Sequence, residues 1–314
     1  MGAVLGIDTS CYTTSCALAG ENGLLGQRRR LLTVELGGRG LMQSEGVFQH
    51  VGRLPALVEA LLEEANHPAI AAVCASTRPR PVEGSYMPVF TVGEGFARSM
   101  AAALNVPFIP TSHQQGHIRA ALVDTALSPK DSFLALHLSG GTTEIVQVSG
   151  GTIQLIGGSN DLHAGQFIDR VGVRLGLPFP AGPELEKLAR RGEAKARLPI
   201  WVRGCECSFS GSESAAQRLI DAGSIAPDDM AAEVFSCVAR SIAKTLWNAA
   251  KASGERRLLL AGGVASSTLL REILPDRMRR LGADVELNWG RPELSGDNAA
   301  GVALIGYETL TGGN

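Results

Sequence analysis

Two histidines, His113 and His117, stand four residues apart in the segment TSHQQGH at 111–117. Residues at this spacing share one face of an α-helix, so both imidazoles can reach a single metal ion if the segment is helical. The Pro-Thr-Ser run before the first histidine predicts a helix start there. Imidazole suits zinc, iron or manganese. The pair also fits two partly exposed histidines at the end of an ordinary helix, and the spacing alone leaves both interpretations open.

A candidate oxygen ligand stands far along the chain. Asp297 lies in the sequence Ser-Gly-Asp-Asn, at the start of a helical pattern over 297–310. A carboxylate in this turn can serve as a third metal ligand. It can equally be the N-cap of the following helix, and the sequence does not separate the two. No Glu follows His113 directly, so the HExxH metalloprotease motif is absent.

Three segments, at 3–10, 133–144 and 257–268, each read as an apolar strand that runs into a glycine turn or an Asp/Ser/Thr turn. Glycine lets a phosphate approach the backbone, and successive backbone N–H groups in such a turn form an anion-binding concavity. Each turn on its own also fits an ordinary connection between two elements. The P-loop motif GxxxxGK[ST] and the dinucleotide motif GxGxxG are both absent, so these turns belong to another kind of nucleotide-binding plan.

The elements that carry these residues predict an α/β protein of two similar lobes facing each other across a cleft. Each half opens with an apolar strand, a polar turn and a second strand, which indicates a weak internal duplication. Buried strands that alternate with helices favour mainly parallel pairing. The helical patterns cover residues 45–65, 93–104, 162–176, 227–252 and 297–310.

The composition supports a globular protein and excludes several classes. The chain has 314 residues, 45% of them hydrophobic, and a net charge of −2, so no global basic field recruits nucleic acid. It lacks a signal-peptide start and any apolar run long enough for a membrane helix. Its six cysteines form no CxxC pair, which fits reduced thiols and predicts a cytoplasmic protein.

Seven motifs occur in an order that resembles the TsaD family, the tRNA threonylcarbamoyladenosine transferase subunits, from about residue 4 to residue 310. The motifs are Gly6-Ile7-Asp8-Thr9-Ser10-Cys11, His113-x-x-Gly116-His117, Ser139-Gly140-Gly141, Ala164-Gly165-x-x-x-Asp169, Ser208-Phe209-Ser210-Gly211, Ala261-Gly262-Gly263-Val264 and Asp297-Asn298.

The resemblance implies an α/β, two-lobed, actin-like ATPase fold of the actin, sugar kinase and Hsp70 type, with mixed sheets flanked by helices. The expected lobes are residues 1–130 and 131–297, with a C-terminal helix at 298–314 that packs back on the first lobe. The implied activity moves a threonylcarbamoyl group from its adenylate to N6 of adenosine 37 in tRNAs that read ANN codons. The implied cofactors are one divalent metal, iron or zinc, and ATP or an acyl-adenylate.

The resemblance also assigns residues by motif. The metal ligands would be His113, His117 and Asp297. Residues that would take part in the reaction are Asp8, near a phosphate-bound metal or water, and Gln115. The nucleotide site would be lined by His137, Leu138, Ser139, Gly140, Gly141, Thr142, Asp169, Gly182, Gly262, Gly263 and Ser267.

Some positions differ from the family pattern. Gln115 replaces a Glu, Thr142 replaces a His, and Tyr12 with Thr13 replace an acidic pair. Ser267 stands where the family has Asn, and the sequence at 78–84 replaces a glycine-rich stretch. Two alternatives to the family reaction follow: a divergent paralogue that uses another carbamoyl-type adenylate or acceptor, and a non-catalytic nucleotide-binding partner subunit of the tRNA modification complex.

The implied partners are a nucleotide, tRNA and a second actin-like subunit, or a second copy of the chain. Helices of the first lobe, at 45–65 and 93–104, would form the subunit surface. Arginines for a tRNA backbone occur in short groups, of which Arg78 with Arg80 comes directly after a predicted strand. No membrane contact is expected.

Overall fold

The computed structural model describes residues 2–33 and 41–312 and divides into two compact units. The first unit runs to Val123 and resumes at Gly296, and the second covers Asp124–Ser295. The boundaries expected from the sequence fell after residue 130 and after residue 297. Asp297 therefore lies in the same unit as His113 and His117.

Twelve strands and nine α-helices make up the described part of the chain. The strands are β1 Ala3–Thr9, β2 Thr13–Gly20, β3 Gly23–Leu31, β4 Ile70–Arg78, β5 Phe108–Ser112, β6 Phe133–Leu138, β7 Thr143–Ser149, β8 Thr152–Ser159, β9 Trp201–Arg203, β10 Glu206–Ser208, β11 Arg257–Ala261 and β12 Glu286–Trp289. The helices are α1 Gln43–Glu64, α2 Phe90–Leu104, α3 His113–Ala121, α4 Ala164–Arg174, α5 Gly182–Ala189, α6 Ser210–Asp221, α7 Pro227–Ser253, α8 Thr268–Arg280 and α9 Ala300–Leu310.

The two units contain the same five-stranded arrangement. The first sheet has the order β3-β2-β1-β4-β5, and five strands of the second have the order β8-β7-β6-β11-β12. In both, the first strand pairs antiparallel with the next and parallel with the strand on its other side. This matching topology confirms the predicted duplication. The second sheet is longer by β10 and β9, which extend it beyond β8.

The expectation of mainly parallel pairing was wrong, and the sheets are mixed. Short turns connect β1 to β2 and β2 to β3, and both pairs are antiparallel. Parallel neighbours need a long crossover, which turns of a few residues cannot supply. Full burial of β1 and β2 concealed this, because a strand covered on both faces reads as continuous apolar sequence in either orientation.

In the first unit, helices cover the sheet and explain its continuous apolar strands. Leu54 and Leu61 of α1 and Ala97 of α2 belong to one buried cluster with Leu5 and Ile7 of β1. On β1, Gly6 is in close contact with α9, because a Cβ atom there would lie 2.4 Å from the backbone nitrogen of Ala303. Burial of this apolar surface is the main stabilising term for the unit.

The predicted helices occur within about three residues of their expected bounds. Pro55 lies within α1, which continues through it. The last helix begins at Ala300, and the side-chain oxygen of Asn298 accepts the backbone N–H of Ala300 at 2.9 Å. Asp297 is therefore not the cap of this helix. None of the helices in residues 2–33 and 41–312 has the length and apolar character needed to cross a membrane.

Candidate functional site

The two histidines belong to the first turns of α3, whose start is fixed by a capping box. Ser112 is the N-cap: its hydroxyl accepts the Gln115 backbone N–H at 3.3 Å, and its backbone N–H donates to Gln115 Oε1 at 3.1 Å. A capping box takes Glu or Gln at this position, so Gln115 preserves the helix start. We therefore assign Gln115 to positioning, and the catalytic role expected from the sequence gains no support from its contacts.

Three ligand atoms converge at the start of α3. His117 Nε2 lies 3.0 Å from His113 Nε2 and 3.2 Å from Asp297 Oδ1. His113 Nε2 lies 3.6 Å from the same carboxylate oxygen. Within the described residues, these three are the group whose His, Cys, Asp or Glu ligand atoms lie close enough to hold one ion.

These separations fit a metal ion. A circle through three atoms 3.0, 3.2 and 3.6 Å apart has a radius of about 1.9 Å, close to the ~2.0–2.2 Å of zinc bonds to nitrogen and oxygen. Two imidazole nitrogens and one carboxylate oxygen also form a donor set that zinc and iron accept. Three protein ligands leave room for a substrate oxygen or water, as in catalytic rather than structural metal sites.

Asp8 bonds the ring nitrogen of His113 that faces away from the other two candidate ligands. It is the second-last residue of β1 and is completely buried. Its Oδ2 accepts hydrogen bonds from His113 Nδ1–H at 2.8 Å and from Ser76 Oγ at 2.5 Å. A carboxylate on the second nitrogen of a ligating histidine fixes its tautomer and ring orientation. Through Oδ2, Asp8 therefore orients His113. Its other oxygen, Oδ1, is buried and has no hydrogen-bond partner among the described residues, and a role for Asp8 near a phosphate-bound metal or water stays a prediction.

The charges around the three ligands keep the carboxylate ionised. Burial would raise the pKa of Asp297, but the hydrogen bond with His117 and the charge of His113 hold that pKa well below its usual range. For His113, burial lowers the pKa, but the neighbouring carboxylates of Asp8 and Asp297 outweigh it and raise the pKa to about 9. A pair of carboxylates around an imidazole also favours a bound cation.

Asp297 reaches the histidines because α9 packs tightly on α3. A Cβ atom on Gly301 would lie 1.8 Å from the carbonyl oxygen of Gly116, so only glycine fits at this crossing. On the other side, Asp297 Oδ2 accepts the Ser10 hydroxyl at 3.0 Å. The close crossing and this hydrogen bond together set the position of the carboxylate.

In the second unit, the predicted glycine turns lie side by side. In the turn after β6, the Ser139 backbone N–H donates to the Thr142 carbonyl at 2.8 Å. A Cβ atom on Gly165, at the start of α4, would lie 2.6 Å from the backbone carbonyl oxygen of Ser139. The N-terminus of α4 thus packs on this turn, an arrangement that attracts anions. Nothing lies within 4 Å of a Cβ built on Gly140 or Gly141.

The turn after β11 contacts the one after β6 through Gly262 and Leu138. Gly262 has φ +102°, and a Cβ there would lie 2.4 Å from the Leu138 carbonyl oxygen. That oxygen also accepts the backbone N–H of Val264 at 3.0 Å. The side chain of Leu138 is buried in the core, so this residue joins the turns and does not line an open surface as the sequence suggested. His137 precedes it on β6 and is half-buried.

Three further predicted nucleotide residues have structural contacts. Asp169 on α4 accepts the Ala181 backbone N–H at 2.8 Å, next to Gly182, the first residue of α5. Burial raises the pKa of Asp169, although these backbone hydrogen bonds oppose it. Ser267 is the N-cap of α8 and accepts the Leu270 N–H at 3.1 Å. The side chains of Asp169 and Ser267 thus bond backbone N–H groups at the starts of α5 and α8.

Sequence reasoning missed three residues that hold the metal candidates. Ser76 bonds Asp8, Ser10 bonds Asp297, and the buried His50 of α1 bonds the Ser10 carbonyl. Ser10 directly follows the buried strand β1, and that position was a usable signal, whereas Ser76 lies within β4. His50 offered none, because a single histidine within an amphipathic helix is indistinguishable from a core residue.

Solved structures share this fold. The chain aligns over 98% of its length with component A of (R)-2-hydroxyglutaryl-CoA dehydratase from Acidaminococcus fermentans, at a TM-score of 0.58 and 16% identity, covering 99% of that chain. A ROK hexokinase from Thermus thermophilus aligns with a TM-score of 0.54 at 20% identity, covering 99% of both chains. HypF from T. kodakarensis aligns with a TM-score of 0.62 at 16% identity, covering 99% of this chain and 48% of HypF. The class is therefore the actin-like, sugar kinase-like α/β fold predicted from the sequence.

Sequence similarity identifies the family within this class. The family model TsaD, tRNA N6-adenosine threonylcarbamoyltransferase, matches residues 40–304. A tRNA N6-adenosine threonylcarbamoyltransferase of Thermus thermophilus is 37% identical over 97% of this chain and 92% of its own length. The enzyme from a second strain of that species gives the same identity over 91% of its own length. The chain belongs to the TsaD family, as its motifs indicated, and this is an enzyme family.

Proposed function

We propose that this protein is a metal-dependent transferase that moves a threonylcarbamoyl group from its adenylate to N6 of adenosine 37 of tRNA. The observation that carries the proposal is the convergence of His113, His117 and Asp297 within the distances of one metal site. A non-catalytic partner subunit has no need of a three-ligand site with its supporting carboxylate. We place the activity in the cytoplasm, consistent with the six free cysteines.

The reaction is an acyl transfer. The N6 amine forms a bond to the carbamoyl carbon, the bond from that carbon to the phosphate oxygen breaks, AMP leaves, and the amine loses one proton. His113, His117 and Asp297 would hold iron or zinc, which would supply Lewis-acid stabilisation of the charge that develops on a substrate oxygen. The chain's own contribution is orientation: Asp8 holds the His113 ring, and Ser10 holds the Asp297 carboxylate.

We propose that the second unit binds the nucleotide, as ATP or as the acyl-adenylate, at its two adjacent glycine turns. The turn of Gly140 and Gly141 offers backbone N–H groups beside the N-terminus of α4, which suits phosphate oxygens. Gly263 also leaves open space above its backbone, which suits the close approach of the adenosine. Ser139, Thr142 and Ser267 stay assigned to this site, with the last as a helix cap at its edge.

The loop after β4 is the proposed contact for tRNA in the first unit. Arg78 is exposed, and Tyr86 has 66% of its surface exposed. The loop is fixed to the start of α3, because the Gln114 backbone N–H donates to the Pro79 carbonyl at 3.0 Å. An arginine meets phosphate, and an exposed ring stacks an unpaired base, as in RNA loops.

The arginines at 190–191 and 279–280 also stand in short groups along the sequence, and they are engaged with carboxylates. Arg190 pairs with Glu272 at 2.9 Å, and Arg191 pairs with Asp228 at 3.1 Å. Arg279 and Arg280 both pair with Asp276. These contacts make them ordinary surface ion pairs and leave the loop after β4 as the better RNA candidate.

The outer faces of α1 and α2 are the proposed surface for a second actin-like subunit. Phe48 and Val51 of α1 have 75% and 48% of their surfaces exposed, and Leu104 of α2 has 52%. Large apolar side chains exposed on neighbouring helices mark interaction sites. A Phe48→Asp variant should lose a co-purifying subunit that the wild type retains, whereas equal recovery of the subunit would count against this surface.

A different acyl group is the second candidate, and Tyr12 favours it. This ring stands where family members have an acidic residue, and 48% of its surface is exposed beside the Ser10 turn. An aromatic ring in place of a carboxylate changes which acyl group is accepted. Mass analysis of the modified nucleoside separates the candidates, because each acyl group gives adenosine a different mass.

The transfer assay combines the protein and its co-purifying subunit with iron or zinc, threonylcarbamoyl-adenylate and unmodified tRNA that reads ANN codons. We expect N6-threonylcarbamoyladenosine from the wild type and none from His117→Ala. Arg78→Ala should raise KM for tRNA, whereas Arg191→Ala, a matched change at a paired arginine, should behave as the wild type. Wild-type protein that modifies no nucleoside under these conditions would contradict the proposal.

A further inference from the structure

His50 lies in α1 and is completely buried, outside every motif that the function uses. Its Nδ1 lies 2.8 Å from the Thr14 hydroxyl on β2, and its Nε2 lies 2.9 Å from the carbonyl oxygen of Ser10. A carbonyl can only accept, so Nε2 carries the proton and donates, and Nδ1 accepts from Thr14. Both ring nitrogens are therefore used, and the tautomer is determined.

The same Ser10 that accepts from His50 also holds a proposed metal ligand. Its hydroxyl donates to Asp297 Oδ2 at 3.0 Å, while Asp297 Oδ1 faces His117 at 3.2 Å. Hydrogen bonds thus join Thr14 to His50 and His50 to the Ser10 carbonyl, and the hydroxyl of the same serine bonds Asp297. The Ser10 hydroxyl also lies 3.4 Å from the Thr13 carbonyl, the longer of its two contacts. Asp297 has one oxygen toward the histidines and the other bonded to the Ser10 hydroxyl.

We infer that His50 is a positioning residue, which ties α1 to the metal site by holding the Ser10 turn against Asp297. The inference rests on the proposed metal site. His50 touches neither the metal ligands nor a substrate, so it acts through Ser10. Without its hydrogen bond, the Ser10 carbonyl is released, the hydroxyl no longer meets Asp297 at a fixed distance, and the carboxylate loses its orientation. Outer-shell partners of metal ligands act on affinity in this way.

The direct test measures zinc affinity and the visible spectrum of the cobalt(II) form, two readouts that do not depend on activity. We expect His50→Gln to weaken zinc binding by about tenfold, the lower end of the range for outer-shell partners, and to alter the cobalt spectrum. Ser10→Ala should weaken binding at least as much. Because His50 acts through Ser10, the double variant should bind no more weakly than Ser10→Ala alone.

Leu54→Ala is the matched control, since Leu54 is equally buried on the same helix, one turn further on, and has no polar link to the site. It should lower thermal stability yet leave the zinc dissociation constant unchanged. If His50→Gln does not fold, Thr14→Val removes only the hydroxyl that orients the ring and should weaken zinc binding in the same direction.

The outcomes separate the inference from its premise. A wild type that binds no zinc, iron or cobalt would refute the metal site itself. A wild type that binds zinc while His50→Gln, or Thr14→Val in its place, binds it equally well would overturn the positioning role alone. A double variant whose loss of zinc affinity equals the product of the two single losses would also overturn it, because His50 would then act by a route other than Ser10.

Discussion

A Cβ atom on Gly301 would lie 1.8 Å from the carbonyl oxygen of Gly116, so α9 and α3 cross in direct backbone contact. Gly116 lies next to His117, and Gly301 follows Asp297 by four residues. The crossing therefore brings the Asp297 carboxylate to His117, 180 residues earlier in the chain. The close packing of Gly116 against α9 therefore helps to place Asp297 beside the histidines.

Substitution of Gly301 by alanine should disturb this crossing and the metal site together. The added methyl group cannot fit without separating the helices, and we expect a loss of about 2–3 kcal/mol in the free energy of unfolding. Urea denaturation and zinc titration measure the two effects. Gly52→Ala, at an exposed position within α1 where nothing lies within 4 Å, should instead stabilise by about 0.5–1 kcal/mol. Equal behaviour of the two variants would disprove the proposed constraint.

Asp8→Asn should weaken metal binding through His113. An amide in place of the carboxylate no longer offers a charged acceptor to the Nδ1–H of His113, so the ring loses both orientation and ligand strength. We expect zinc affinity to fall by about 10–100-fold. Asp284→Asn, at an almost fully exposed carboxylate, should leave it unchanged. Unaltered affinity in Asp8→Asn would remove Asp8 from the site.

The two glycines after β11 should respond differently to alanine. Gly262 has φ +102° and no space for a Cβ, so Gly262→Ala should lower the melting temperature and abolish nucleotide binding. Gly263 has open space around it, so Gly263→Ala should keep wild-type stability and lose affinity only if the nucleotide lies over this turn. Thermal unfolding and ATP titration separate these effects, and unimpaired ATP binding by Gly263→Ala would displace the nucleotide from the turn.

His50 should make the protein less stable in mild acid. Burial lowers its pKa and nearby Arg53 adds to this, although the Ser10 hydrogen bond and Asp8 oppose it. Because the folded pKa is below the unfolded value of about 6.5, stability is complete above pH 6.5 and is lost as the unfolded chain takes up the proton below it.

His50→Gln lacks this proton linkage. Its free energy of unfolding should fall less than that of the wild type between about pH 7.5 and about pH 5, a range that spans the unfolded pKa of histidine. Both proteins should be measured with chelator present, so that both are metal-free. The same decrease in both proteins would show that His50 contributes nothing to the acid sensitivity.

Much of the fold followed from the sequence, because its signals are local. The repeated strand–turn–strand pattern predicted the duplication, and the Pro-Thr-Ser segment predicted the start of α3 at His113. The family resemblance implied mixed sheets, but the strand patterns alone favoured mainly parallel pairing, since β1 and β2 are buried on both faces and lack alternation. Pairing direction depends on the lengths of the connections, not on the strands themselves.

The site divides in the same way. The histidine pair was visible as a spacing on one helix, but Asp297 was equally compatible with a helix cap. Only the structure decides between these roles. The N-cap of α9 is Ala299, the Ala300 N–H donates to the Asn298 side chain, and the Asp297 carboxylate faces His117. Asp8 was expected near a phosphate-bound metal or water. Its hydrogen bond to His113 could not be predicted, because it joins residues 105 positions apart.

Metal content is the most direct test of the central claim, that His113, His117 and Asp297 hold one catalytic metal ion. The protein should be purified without a chelating tag, beside His117→Ala, and both should be incubated with iron or zinc before elemental analysis. We predict close to one metal ion per wild-type chain and almost none in the variant. A wild type without metal after incubation, or a variant that retains as much as the wild type, would contradict the account.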